Sequence, residues 1–420
     1  MNSKYMAIMI NNEQKELLST YDTATKALDS SVESRKLVSG SLGSSDSVDY
    51  TLRFWLDESV TLADDAQNKV FNSKIVVTAV PSNYSPKAVG YDTLRDAILA
   101  NEYQTTPEKA IEKIEAKGTP DISLPAPVSE NDLSDKGLYE GTDDYGTTYY
   151  YRGKVSNNNV YFAGFYWQIV RINGDGSIRL IYNGSEKNAT GVNRSINNRA
   201  YQFNNSYNDP AYVGYMYGDP DATTFAEVHA NTNDSTIKSV VDGWYKTNIA
   251  DKGYIAYVSN AVGFCGDRTI YSGGNGIQTN KDTYFGAYGR FSKNAAQFTC
   301  PEPYRDLYTV SDSNIGNKAL TYSVGLITYD EMVFAGMTNK ESNKLSWIYS
   351  EQYTWTMSPS YFSATRSTAY EWGEDSSGLL IHWWGVRGSL DTRPVINLKA
   401  DVKISGGIGT VNEPFIIETN

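Results

Sequence analysis

The stretch that most constrains this chain is FYWQIVRINGDGSIRLIY, from Phe165 to Tyr182. Two runs of alternating aromatic and β-branched residues flank Asn-Gly-Asp-Gly at 173–176. Asn and Gly tolerate positive φ, and a tight turn of that kind matches the right-handed twist of paired strands. The stretch predicts an antiparallel hairpin. Composition points the same way, because 33 Tyr stand against 13 Phe and 7 Met. A chain so rich in Tyr favours strands, turns and polar-aromatic surfaces over helical bundles.

The flanking sequence extends the β reading. TTYYYRGKVSNNNVYFAG before the hairpin holds further strand-like runs around an SNNN turn. TNDSTIKSVVDGWYKTNI predicts a helix, with Asp234 or Ser235 as N-cap and Ile237, Val240, Val241 and Trp244 on one face, so Trp244 is expected in the core. Residues 250–320 read mostly as loop. GLITYDEMVFAG reads as a strand running into a short helix, and the tail gives two or three strands. Residues 1–84 also read as β, from KYMAIMIN, YTLRFWLDES and KVFNSKIVVTAVP, the last stopped by Pro81. Between them, YDTLRDAILANE and TPEKAIEKIEAKG carry helix signals, and PDISLPAPVSENDLSDKG is proline-rich and polar. The predicted fold is α+β, mostly β. It has a β-sandwich-like domain at 1–84, a short helical and Pro-rich linker at 85–135, and a large domain at 136–420.

The net charge of −12 argues against a nucleic-acid partner, whose phosphates need clustered Lys and Arg, and against adsorption to an anionic membrane. No apolar run reaches the ~20 residues of a membrane span. MNSKYMAIMINNEQ does not read as a signal peptide, while the composition reads as secreted, so a processed or trimmed chain is expected. Cys265 and Cys300 lie in one irregular region. A disulfide there fits an oxidising compartment, and two buried free thiols are the alternative.

Few residues offer catalytic chemistry. With two histidines, His229 and His382, a His-based zinc site would need both plus distant carboxylates. No G-x-S-x-G elbow is present. GGNGIQTNK lacks the ending and the helix of a phosphate loop. NGDGS and DPDAT lack EF-hand spacing. Asp143 and Asp144 read as solvated turn carboxylates. No cofactor, no metal and no enzymatic activity are expected.

One segment remains. Trp355 to Val402 holds four of the eight tryptophans and one histidine, in sequence that reads as loops between two strand-like ends. Exposed Trp and Tyr bring large rigid area to a binding surface at low entropic cost. The expected ligand surface is Tyr370, Trp372, His382, Trp383 and Trp384, with Arg366 and Arg387 at its rim. Trp383 and Trp384, if extended, face opposite ways, so one of them can anchor the core. The alternative is that the whole segment packs a loop-rich core.

Several stretches carry a resemblance: YGTTYYYRGKVSNNNVYFAGFYWQIVRINGDGSIRLIYN, VGYMYG, HANTNDSTIKSVVDGWYKTNI, GFCGDRTIY, GLITYDEMVFAG, YTWTMSPSYF and TRPVINLKADVKISGGIGTVNEPFII. Together they resemble a group of surface-exposed proteins of Gram-positive gut bacteria. The region 136–420 looks like a C-type-lectin-like (formylglycine-generating-enzyme-like) domain. YTLRFWLDES and KVFNSKIVV are similar to the last strands of TasA/camelysin-like fibre proteins. The Glu-Pro-Asn or Gln-Pro-Asp motif of calcium-dependent lectins is absent, so calcium-mediated sugar binding is not implied. The resemblance also implies an analogy with diversity-generating retroelement target proteins, whose variable ligand surface precedes a closing strand; here that segment is Ser363 to Thr392.

These readings converge on a secreted or cell-surface ligand-binding protein, an adhesin or receptor-binding head, whose partner is a host or bacterial surface protein or a glycan. Two alternatives stand beside it. One is a fibre or pilin-like subunit that self-associates through the N-terminal β edge. The other is an enzyme of the formylglycine-generating type using Cys265 and Cys300.

Overall fold

The Asn-Gly-Asp-Gly turn closes a hairpin between strands Phe165–Ile172 and Ile178–Tyr182. The Asn173 carbonyl accepts the Gly176 N–H at 2.8 Å, and Gly176 takes φ +90°, a conformation that favours glycine. In the computed structural model, residues 3–11, 13–21, 35, 37–38, 49–61, 91–100, 102–103, 112–113, 116–127, 129 and 135–419 are described. The class is α+β and mostly β, as the sequence predicts.

The chain divides into two units, one of residues 1–82 with 104–111, the other of residues 83–103 with 112–420. In the described part of the smaller unit, strand Met6–Ile10 lies between Glu16–Leu17 and Leu52–Leu56, both antiparallel. Met6, Ile8, Ile10 and Leu18 form its core, with Leu52 and Phe54 against them. The expected strand Lys69 to Pro81 lies outside the described residues, and so does most of the expected helix from Pro107. Of that helix, Glu112–Lys113 pairs instead with Glu102–Tyr103 as a short antiparallel ladder.

The larger unit holds an eight-stranded and a seven-stranded sheet. The hairpin sits inside the first, between Val395–Leu398 and the pair Gly146–Arg152 and Asn159–Phe162. Both of its strands are therefore buried almost throughout. At the end away from the turn, Trp244 closes on Phe165 and Tyr182, each at 5.2 Å between ring centroids. Trp244 belongs to helix Thr236–Tyr245, whose N-cap is Ser235, accepting the Lys238 N–H. At the turn end, Arg171 and Arg179 share Glu331, which lies on helix Tyr329–Phe334. A capping box between Thr328 and Glu331 starts that helix. The strand expected before it reduces to a single bridge, Gly325 with Val395.

The described residues of the segment expected as a linker belong to the larger unit. Helix Leu94–Ala100 is capped by Thr93, whose Oγ1 accepts the Asp96 N–H, and buries Leu94, Ala97 and Ile98 in the main core. The proline-rich residues are held by Arg152, which donates to the carbonyls of Asp121 and Leu124, and by Asn343, which donates to the Ala126 carbonyl at 2.8 Å. Polar backbone sequestered by specific donors behaves as part of the fold, not as a free connector.

Candidate functional site

The Trp-rich segment is not a set of loops. Strands Thr354–Ser363, Thr368–Glu374 and Leu380–Gly385 form an antiparallel meander in the seven-stranded sheet. Leu380–Gly385 is its edge strand, laddered with Thr368–Glu374, and at its start the Leu380 N–H donates to the Thr338 carbonyl. Two irregularities hide this from a period-two reading. Between Trp355 and Pro359 the first strand carries extra residues opposite Trp372. On the other side Glu371 pairs with Trp384 and Gly373 with Ile381, so His382 and Trp383 together oppose Trp372. This is a β-bulge, which re-aims side chains at a sheet edge.

The bulge decides where each expected site residue goes. Trp383 is 54% exposed. His382, half-buried, has its ring 4.6 Å from Trp383 and 5.5 Å from Trp372. Trp384 turns to the other face and meets Tyr353 edge-on at 5.0 Å, beside Gly373, where a Cβ would fall 2.9 Å from its ring. The predicted division between the two neighbouring tryptophans is thus observed. Two expected surface residues are core. Trp372 is 0% exposed, enclosed by Tyr329 at 4.2 Å and Phe291 at 5.4 Å, and Tyr370 is 6% exposed under Tyr361, ring on ring at 4.4 Å. They are buried because the meander is a sheet with a covered inner layer. They form the floor of the site and not its contact surface. Arg366 is exposed, and its charge acts on Tyr361. Arg387 lies over Tyr207 at 4.4 Å from the ring centroid and is spent there rather than at the aromatic rim.

Four residues complete the face that sequence reasoning missed. Tyr361 stacks on Tyr284, of strand Thr283–Phe285, at 5.4 Å. Tyr288 and Phe291 come from helix Gly286–Lys293 and stand 5.4 and 5.9 Å from His382. The three-residue spacing of those two puts them on one helical face. That signal was present in GAYGRF, but its two glycines mark a loop by composition. Gly289 is required there, since a Cβ would lie 2.5 Å from Tyr271. Arg290 anchors the helix through a two-point pair with Asp330 at 2.7 and 2.8 Å and a contact with Asp267. Tyr284, Tyr288, Phe291, Tyr361 and His382 are all half-buried, so their rings are held from beneath and still reach solvent. Burial lowers the pKa of His382, which keeps the imidazole neutral near pH 7. The face therefore offers ring surfaces, tyrosine hydroxyls and a neutral imidazole, with one arginine nearby.

The remaining candidates are structural. His229 is enclosed, with Nε2 bonded to the Gly276 carbonyl at 2.9 Å and its ring 4.2 Å from Phe225; burial pushes its pKa down to about 3. Asp143 is not a solvated turn carboxylate. It is buried, paired with Arg171, and accepts the N–H groups of Tyr145 and Gly174. Asp144 accepts the Cys300 N–H. Cys265 and Cys300 form a disulfide, so neither is a free thiol. A small polar hollow beside it is lined by Arg171, Arg179, Arg290 and Glu331, each guanidinium already matched by carboxylates. Among the described residues, no three His, Cys, Asp or Glu side chains gather as a metal set, and no helix is long and apolar enough to cross a membrane. No family model, curated protein or solved structure matches the chain.

Proposed function

We propose that this chain is a ligand-binding protein of the cell surface or extracellular space, and that it binds through the aromatic face around the His382–Trp383 bulge. The contacting side chains are Trp383, His382, Tyr361, Tyr284, Tyr288 and Phe291, with Arg366 at the edge. The observation that carries the reading is the bulge: it turns an edge strand so that a largely exposed Trp stands among half-buried rings resting on Trp372 and Tyr370. Rigid aromatic anchors supported from below are the residues that dominate binding energy at protein surfaces, and their flat faces also stack on sugar rings. The disulfide agrees with an oxidising compartment. The partner is a surface protein or a glycan.

The test screens the wild-type chain and Trp383→Ala side by side on glycan and host-protein arrays. The reading expects a wild-type ligand whose affinity falls about 30-fold or more in the variant, equivalent to ~2 kcal/mol. A ligand bound equally well by both chains places the binding surface elsewhere.

A further inference from the structure

Below the aromatic face, the meander is rooted in a row of buried acids. Thr354 pairs with Glu374 on one side and with Asp391 on the other. Cross-strand partners share a sheet face, so the three side chains stand in line. All are buried, Glu374 completely. Ser350 joins them. Its N–H and hydroxyl donate to Glu374 at 3.0 and 2.7 Å, and its oxygen lies 2.8 Å from the Thr354 hydroxyl. Asp391 Oδ2 has no hydrogen-bond partner among the described residues. Glu374 is also the residue whose backbone pairs with Leu380, where the edge strand carrying Trp383 begins.

Two guanidiniums face this row. Arg393 is buried and already committed to the carbonyls of Tyr182 and Ile348 and to the amides of Gln168 and Asn183. Arg194 donates to the Ala189 and Tyr349 carbonyls. Glu351, Tyr349 and Asp375 stand at the outer side and add no positive charge. Neither arginine makes a direct ion pair with Glu374 or Asp391 among the described contacts. Ionising both acids therefore places two negative charges in a dry sheet with only distant compensation, a costly arrangement.

We infer that Glu374, bonded to Ser350 and through it to Thr354, and Asp391, the backbone partner of Thr354 on its other side, form a pH-sensitive latch at the root of the meander, closed in mildly acidic surroundings and loosened at neutral and alkaline pH. Burial pushes the Glu374 carboxyl up to about 7, against the Ser350 hydrogen bonds, which favour the carboxylate, and the Asp391 carboxyl up to about 6. Both acids keep their protons at pH 5. As pH rises through these values, the closed row must carry charge that an opened row hands to water. The stabilisation is present at low pH and lost on alkalinisation. The segment that opens is 349–354 with the edge strand Leu380–Gly385. The latch needs no ligand to open or close.

Amide hydrogen exchange of the intact chain tests it, at pH 5 and pH 8 after correction for intrinsic rates. Protection of Ser350 and of the Leu380–Gly385 amides should fall by at least about tenfold, one pKa unit's worth of ionisation, while the Ile178–Tyr182 amides hold theirs. In the double variant Glu374→Gln and Asp391→Asn the fall should vanish. Equal wild-type protection at both pH values, or a fall that persists in the double variant, overturns the latch. If that variant does not fold, carbon-13 titration of the wild-type carboxyls decides. A Glu374 midpoint near 7 supports the inference, and one near 4.5 refutes it.

Discussion

Trp372 and Trp383 lie across one strand pair and have opposite fates. The bulge puts Trp383 in solvent, while Trp372 fills the space over Tyr329 and Phe291. Trp372→Ala should cost ~3–5 kcal/mol in chemical denaturation, the range for emptying a buried Trp site. Trp383→Ala should stay within about 0.5 kcal/mol of wild type. Equal losses in the two variants would mean that the exposed ring is packed after all. Charge acts at this scale too. Glu374, raised by burial to about 7, favours the folded state most below the ordinary Glu range and loses that contribution as pH climbs past 7. His229, lowered to about 3, acts in reverse: its contribution is complete above the ordinary His value and disappears in acid. The two overlap in a wild-type profile, but a difference removes His229. The unfolding free energy of wild type minus that of Glu374→Gln should fall by ~3 kcal/mol from pH 4 to pH 8. A flat difference would show that Glu374 titrates normally.

Elements with a clean period were legible in the sequence. The hairpin at 165–182, the helix through Trp244 and the closing strand Val395–Leu398 each form, the hairpin with one register shift where Arg179 pairs with Arg171 and Leu180 with Ile169. Trp244→Ala should cost ~3–5 kcal/mol, since the ring closes on Phe165, Trp167 and Tyr182. A variant that melts like wild type would contradict that docking. The meander was not legible, because extra residues opposite Trp372 on both sides break the alternation that identifies strands. Helix Gly286–Lys293 was hidden by its two glycines, which allow close approach to Asp267 at Gly286 and to Tyr271 at Gly289. The site was thus half visible. His382 and Trp383 stood out by residue type, while Tyr284, Tyr288, Phe291 and Tyr361 are gathered by register and helix packing that no local pattern records. The role of Tyr370 and Trp372 as floor follows from the same register.

At the scale of the whole molecule, the larger unit is held by one continuous core running from Leu94 to Ile417. The disulfide ties Cys265 to Cys300, 35 residues apart, closing a loop that holds strands Ile270–Gly273 and Thr283–Phe285 and helix Gly286–Lys293. Closing a loop of that length stabilises by ~3–4 kcal/mol through the entropy of the unfolded chain. Cys265→Ser with Cys300→Ser should lower stability by about that amount, read by denaturant unfolding; no change would assign the bond no structural weight. Surface chemistry at this scale is acidic, with a net charge of −12, so a face made of rings and hydroxyls is better suited to a neutral or weakly basic partner than to an anionic one. The fibre alternative makes a separate forecast, growth in size with concentration on gel filtration, which a ligand-binding head does not require.

The central claim is that ligand meets the chain at the bulge. Hydroxyl-radical footprinting of aromatic side chains, with and without an array-identified ligand, reads it directly. The account predicts that ligand lowers modification of Trp383, Tyr361 and Tyr288 and leaves Tyr304, 81% exposed, unchanged. Unaltered modification of Trp383 while another surface becomes protected would contradict it.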